Sequence, residues 1–476
     1  MTRRRWILIG GSVVLLLAAV ASQLKVSVPS RPSGDVSELR RLRERGDLNV
    51  VFVLIDTLRS DHLSAYGYAR PTSPTLDDVA ASGVRFARVE SQSSWTKCSM
   101  ASLWTGLFPH RTGVVRFQHG LPETAQLPAE IFRAAGYKTA GIYRNGWVSG
   151  DFGFGQGFDL YIEPAPRQDP KGFTRPALGA RRLPGTDQDL ALAAMEFVNR
   201  NKSEKFLLYT HWMDVHQYAY DEEAAALGFG ASLADVYDAS IHWVDANLYA
   251  LFTELDRLKL LEKTLVVIAA DHGEAFREHG REGHAVNIYR EVTDVPLILM
   301  LPFRLDEPLV IEPVVRNVDI WPTILDLAGL PPLPQTDGVS LVPLMEAAAA
   351  KQSTETPVSM AYIDQTWGRL ENEPAPLISI RNDGHRLLYR SRQPEFLEVF
   401  DHATDPKEQR NLFAEPPEWV APLRQELETR IAQPIPWGKA SEVEVDNMAR
   451  GQLRALGYLV PPDPPARDKG KDKPKR

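Results

Sequence analysis

The chain has 476 residues, 24% charged and 43% hydrophobic, which excludes a wholly disordered, collagen-like or coiled-coil protein and leaves room for a large α/β unit with an appendage. The formal net charge is −8 although both ends are basic, so the body is acidic and nucleic acid is excluded as its main partner, because phosphate binding needs a basic face. The single cysteine, Cys98, excludes an intrachain disulfide and a cysteine-based structural zinc site.

In chain order, Arg3, Arg4 and Arg5 precede residues 6–21, all uncharged and mostly apolar, which is the layout of an export segment. Ala19-Val20-Ala21 fits a small-x-small cleavage site, while the stretch is only slightly short for a spanning helix. Residues 1–26 therefore read as a cleaved signal peptide or a retained signal-anchor. Either way the body is expected to be exported, periplasmic or otherwise extracytoplasmic, and soluble or attached to the membrane by that helix. Residues 27–47 read as a polar linker.

Asn49–Ile55 is a continuous apolar run, as expected of a strand buried on both faces, and it ends in Asp56. Phe206–Thr210, Thr264–Ala270 and Val295–Leu301 are similar, and Thr139–Ile142 is an apparent further strand. Helical periodicity occupies Asp187–Arg200 and Leu233–Lys259. Strands alternating with helices predict an α/β fold with a mostly parallel central sheet sandwiched by helices, whose ligand site lies beyond the carboxyl ends of the strands. From about Pro331 the texture changes to alternating strands with a final helix near Pro416–Ile431, which predicts a small antiparallel C-terminal sheet. Residues 461–476, rich in Pro, Lys and Asp, read as a disordered basic tail. The expected organisation is thus a catalytic domain over 48–331 and a C-terminal α+β subdomain over 332–460.

Five polar segments follow apparent strands or open helices. Asp56 is pinned by its strand and fits either a metal ligand or a helix cap. Thr96, near the start of a helical stretch, fits either an N-cap or a nucleophile activated by a helix terminus and a metal. Asp271-His272-Gly273-Glu274, with His279 and His284 close behind in a Gly-rich loop, offers an oxygen and a nitrogen ligand side by side. His211, Asp214 and His216 lie just beyond Thr210, where a functional role and ordinary helix-start positions are both open, and Arg144-Asn145 follow Tyr143, where a plain loop and a substrate contact are both open. Asp238 and His242 have metal-ligand spacing, but inside a helical pattern that spacing arises by chance.

Taken in order, Asp56-Thr57-Leu58-Arg59-Ser60-Asp61-His62, Tyr66-Gly67, Thr72-Ser73-Pro74, Ala101-Ser102-Leu103, Thr105-Gly106, Pro109-His110-Arg111-Thr112-Gly113-Val114, Asp271-His272-Gly273-Glu274 and Val295-Pro296-Leu297 resemble the sulfatase family of the alkaline phosphatase superfamily. The likeness runs from about residue 48 to 331 and continues through Asp405-Pro406, Glu408, Asn411-Leu412 and Leu453–Tyr458. It implies an alkaline-phosphatase-like fold and one divalent metal ion, Mn, Zn, Ca or Mg, held by Asp56, Thr96, Asp271 and His272. His216 and His284 fall on positions that contact ester oxygens and leaving group, and Arg144, Asn145 and Asp214 on expected substrate contacts. Two departures qualify the resemblance. Thr96 stands where the family carries the Cys or Ser that becomes formylglycine, with Cys98 and Met100 in place of the motif's Pro and Arg; Thr57 replaces the second Asp of an Asp-Asp pair. Threonine cannot be oxidised to an aldehyde, because its carbinol carbon already bears a methyl group. The implied activity is hydrolysis of a sulfate or phosphate ester, of a small molecule, glycan or lipid, through a metal-bound Thr96. The alternatives are a phosphoglycerol- or phosphoethanolamine-type transferase of the cell envelope, or a catalytically silent binding protein of the same fold.

Overall fold

The computed structural model describes residues 31–166, 185–218, 222–355, 357–366, 372–382 and 384–444. The segments 1–26, 453–458 and 461–476 discussed above lie outside the described residues. Among those described, no helix is long and apolar enough to cross a membrane.

Eight strands build the central sheet: β1 (Asn49–Ile55), β2 (Val84–Glu90), β3 (Lys138–Tyr143), β4 (Leu160–Ile162), β5 (Phe206–Trp212), β6 (Thr264–Ala269), β7 (Asp294–Met300) and β8 (Leu309–Arg316). Their spatial order is β8-β2-β7-β6-β1-β5-β3-β4. Neighbours run parallel except at β7, which is antiparallel to both β2 and β6. Every residue of β1, β5 and β6 is buried, so these strands read as unbroken apolar runs.

Five helices account for the covered faces: α1 (Pro74–Ala81), α2 (Thr96–Thr105), α3 (Asp187–Arg200), α4 (Leu233–Arg257) and α5 (Ile320–Leu327). Side chains alternate across a strand, so Phe52 and its neighbour Tyr209 share one face. Phe52 lies 6.1 Å from Trp104 of α2 and 5.1 Å from Trp321 of α5. Phe206, of opposite parity, meets Phe197 of α3 at 5.8 Å on the other face, where α3 also packs with α4.

The smaller sheet holds β9 (Ser359–Asp364), β10 (Pro376–Arg381), β11 (His385–Arg390) and β12 (Leu397–Asp401), each antiparallel to the next, with α6 (Val420–Ile431) packed on β10 and β11.

The central register positions the site. Leu54 of β1 is paired with His211 of β5 on one side and Ala269 of β6 on the other. Two residues further on, alternation returns Asp56 and Asp271 to the face that carries His211 and α2.

Candidate active site

Asp56, His211 and Asp271 thus project from three adjacent strand ends, all fully buried, and their ligand atoms lie within 4.8 Å of one another. His272 follows Asp271, with Nε2 3.4 Å from Asp271 Oδ2 and 3.9 Å from Asp56 Oδ1. Thr96 is the first residue of α2, one position inside the cap residue Trp95, and its Oγ1 is 3.1 Å from His272 Nε2. The Ser99 hydroxyl, one turn into α2, donates to the Asp271 carbonyl at 2.6 Å and holds the helix start against that strand end. Asn145 Nδ2, just past β3, donates to Asp56 Oδ2 at 2.7 Å and lies 3.4 Å from Thr96 Oγ1. Thr57, despite its β-branched side chain, sits at φ 61°, a left-handed conformation that costs energy. There its N–H reaches Asp271 Oδ1 at 3.3 Å and its carbonyl accepts from Tyr237.

Burial and the neighbouring Asp56 charge push the Asp271 carboxyl upward, and Asp271 Oδ2 is buried without a hydrogen-bond donor. Two buried carboxylates side by side need a compensating positive charge. The atoms of Asp56, Asp271, His272 and Thr96 lie 3.1–3.9 Å from one another along the edges measured, the spacing of ligands about 2.0–2.2 Å from a shared centre. The donor set therefore fits one divalent metal ion.

His211 is the residue that sequence reasoning left out of the site. Burial pushes its imidazole down to about 4, so it is neutral near pH 7. The Tyr209 hydroxyl is 2.7 Å from its Nδ1 and Asp56 Oδ2 is 2.9 Å from its Nε2. Tyr209 donating to Nδ1 leaves the proton on Nε2, which donates to Asp56. With Asn145, two donors fix Asp56 Oδ2 and orient the carboxylate so that Oδ1 faces His272.

His284 and His216 stand beside this cluster. The His284 ring is 4.6 Å from His272 and 4.9 Å from His216, and Glu274 Oε2 is 2.9 Å from His284 Nδ1. A short ribbon, Ala275–Phe276 paired with Glu282–Gly283, delivers His284 to this place. Glu274, fully buried, is a second residue absent from the expected set.

Arg144 and Asp214 are engaged differently from the substrate contacts expected of them. Arg144 Nη1 is 2.6 Å from both Asp214 and Asp187, and its Nη2 donates to the Gly185 carbonyl. Asp214 also accepts from the Asp187 N–H and from Trp243 Nε1. This buried network braces the chain on either side of the site, between Asn145 and His216. Asp238 pairs with His62, Tyr68 and Arg70, a partner set that does not include His242. Cys98 is buried, which pushes its thiol up to about 12 and keeps it an inert core group.

A mostly parallel sheet carrying buried acids, imidazoles and a helix-start threonine over adjacent strand ends defines a hydrolase of the alkaline phosphatase superfamily. The structure is similar to that of a 2-O GAG sulfatase (TM-score 0.63, 21% identity, 85% of this chain and 96% of that one) and to the phosphonate monoester hydrolase of Agrobacterium radiobacter (TM-score 0.61, 19% identity, 80% and 94%). The sulfatase family model matches residues 48–330, and the model for the C-terminal part of N-sulphoglucosamine sulphohydrolase matches residues 282–435. The chain belongs to the sulfatase family and is a sulfuric ester hydrolase. Its curated relatives include arylsulfatase K of Mus musculus, 25% identical over 89% of this chain and 85% of that one. The Delta 4,5-hexuronate-2-O-sulfatase of Bacteroides thetaiotaomicron is 24% identical over 77% and 85%.

Proposed function

We propose that this chain is an exported, single-metal sulfatase whose nucleophile is the Thr96 hydroxyl rather than a formylglycine. The observation that carries the reading is the position of Thr96 Oγ1, at the start of α2 and 3.1 Å from His272 Nε2, in a cluster of buried carboxylates and imidazoles. A divalent ion held by Asp56, Thr96, Asp271 and His272 would lower the hydroxyl pKa and offset charge on the transferring group. Thr96 Oγ1, its hydroxyl proton given up to solvent, forms a bond to sulfur as the bond from sulfur to the leaving oxygen breaks. His284 or His216 gives that oxygen its proton. Water then attacks the sulfur of the sulfated threonine, releasing sulfate and restoring the hydroxyl. Glu274 orients His284 through Nδ1, leaving Nε2 for the proton transfer, and Asn145 donates toward both Asp56 and Thr96.

Relatives named for sulfated hexuronate and glycosaminoglycan support a sulfated sugar as the substrate class. The test is a panel of sulfated monosaccharides, aryl sulfates and phosphate diesters, assayed with each divalent metal added to stripped protein. The expected result is metal-dependent sulfate release from at least one sulfated sugar, and turnover of phosphate esters alone would overturn the substrate class. Export rests on Arg3–Arg5 and residues 6–21, and mass spectrometry of the mature N-terminus tests it.

A further inference from the structure

His284 reaches the catalytic cluster on a slender support. The ribbon that carries it pairs Ala275 with Gly283 and Phe276 with Glu282, and a two-stranded ribbon so short is marginally stable at best by itself. Continuing that register sets Glu274 opposite His284, which matches their 2.9 Å contact. The turn at its far end, with Arg277, Glu278, Gly280 and Arg281, is exposed, so the ribbon's rigidity has to come from the body of the protein.

Arg59 reaches that ribbon from the strand end that carries Asp56. Its N–H donates to the Tyr237 hydroxyl at 2.8 Å, and that hydroxyl donates to the Thr57 carbonyl at 2.7 Å, which fixes the Arg59 backbone beside the end of β1. The side chain is buried, with the residue 5% exposed, and Nη1 donates to the Glu274 carbonyl at 2.8 Å and to Glu278 Oε1. Its guanidinium also lies 5.3 Å from the centre of the Phe276 ring. Nε and Nη2 form a fork on the Asp61 carboxylate, each at 2.9 Å, which sets the plane of the group. Glu278 Oε2 accepts the Phe276 N–H at 2.6 Å, so the first strand of the ribbon is gripped through backbone, carboxylate and ring together. A Cβ on Gly273 would stand 3.1 Å from Arg59 Cγ and 2.3 Å from the Glu291 carbonyl, so glycine lets the chain pass this closely. A planar fork of donors serves these partners at once, which a lysine ammonium cannot do.

We propose that Arg59 is a positioning residue that clamps the His284 ribbon to the strand end carrying Asp56 and so places the His284 ring for proton transfer to the leaving oxygen. The proposal rests on the reading of His284 as proton donor. Arg59→Met removes the clamp, and Asp61 and Glu278, whose side chains are 51% and 33% exposed, are left to water. Glu278→Ala, on the exposed turn, gives the same direction of change should Arg59→Met fail to fold. The full chain and each variant are assayed on 4-nitrophenyl sulfate and phenyl sulfate, which differ in how far the leaving oxygen needs a proton, with His284→Gln as the control. Expected is a loss of kcat of about 10–100-fold on phenyl sulfate, against about threefold or less on 4-nitrophenyl sulfate. Hydrogen exchange followed by mass spectrometry should show the amides of residues 275–284 exchanging at least about tenfold faster than in the parent. The clamp is overturned if those amides exchange as in the parent in both variants. It is overturned too if His284→Gln shows the split between the two substrates and neither variant does. If His284→Gln lowers both substrates alike, the proton-donor reading fails instead, and faster exchange in Arg59→Met still upholds the clamp.

Discussion

Replacing His211 by Gln tests whether the metal cluster depends on its support. The imidazole links the Tyr209 hydroxyl, 2.7 Å away, to Asp56 Oδ2, 2.9 Å away, and all three side chains are fully buried. Its loss leaves Asp56 Oδ2 with Asn145 as a remaining donor and leaves a buried phenol without its acceptor. Removing a hydrogen-bond partner of a metal-binding carboxylate weakens metal binding by about 10–100-fold, or about 1.4–2.7 kcal/mol. The stranded Tyr209 hydroxyl adds a cost of about 1–3 kcal/mol to folding. Tyr209→Phe removes that hydroxyl, so the stability losses of the two single variants should not add in the double variant. Chelator competition followed by metal analysis gives the affinity, and thermal melts of metal-stripped protein give the stability. A His211→Gln chain whose metal affinity stays within about twofold of the parent's would refute the orienting role.

Other consequences are read separately. Asp271→Asn should lose bound metal while keeping its circular dichroism spectrum, because the sheet does not need that charge; unchanged metal content sinks the ligand assignment. Cys98→Ala should retain most activity, and peptide mass spectrometry should find no aldehyde at residue 98; formylglycine there would restore an ordinary sulfatase mechanism. His279 points Nδ1 at Glu291 and Nε2 at the Glu408 carbonyl, each at 2.9 Å, so both nitrogens must donate and the ring is a cation. Although burial opposes the charge, these acceptors raise the imidazole to about 9 from a reference value of 6.5. The stability it contributes is therefore present below about pH 6.5 and lost as the pH rises through 9. Melting temperature should fall over that window in the parent and fall less in His279→Gln, and parallel curves would contradict the assignment.

Much of the frame was legible because burial on both faces writes an unbroken apolar run. Asn49–Ile55 and Asp187–Arg200 are read from sequence with the bounds the structure shows. The direction of β7 was not legible, since Val-Pro-Leu-Ile-Leu-Met is equally apolar whether its neighbours run parallel or antiparallel. His211 was missed because the apparent strand end at Thr210 put it outside the strand, whereas β5 continues to Trp212. Its same-face spacing from Tyr209 was the available signal. Arg144 looked like an anion contact because an arginine after a strand carries no mark of its partner, and Asp187, on another element, supplies one.

The central claim is that Thr96 carries the transferred group. With a sulfated substrate that turns over, rapid acid quench, digestion and mass spectrometry of the peptide containing Thr96 test it most directly. A burst-phase sample of the parent should carry the mass of one sulfuryl group, localised by fragmentation to Thr96. The same peptide from Thr96→Asn, which leaves a helix-start side chain but no hydroxyl, should carry none and the variant should be inactive. Parental turnover by Thr96→Asn, with no modified peptide at any quench time in either chain, would contradict the account.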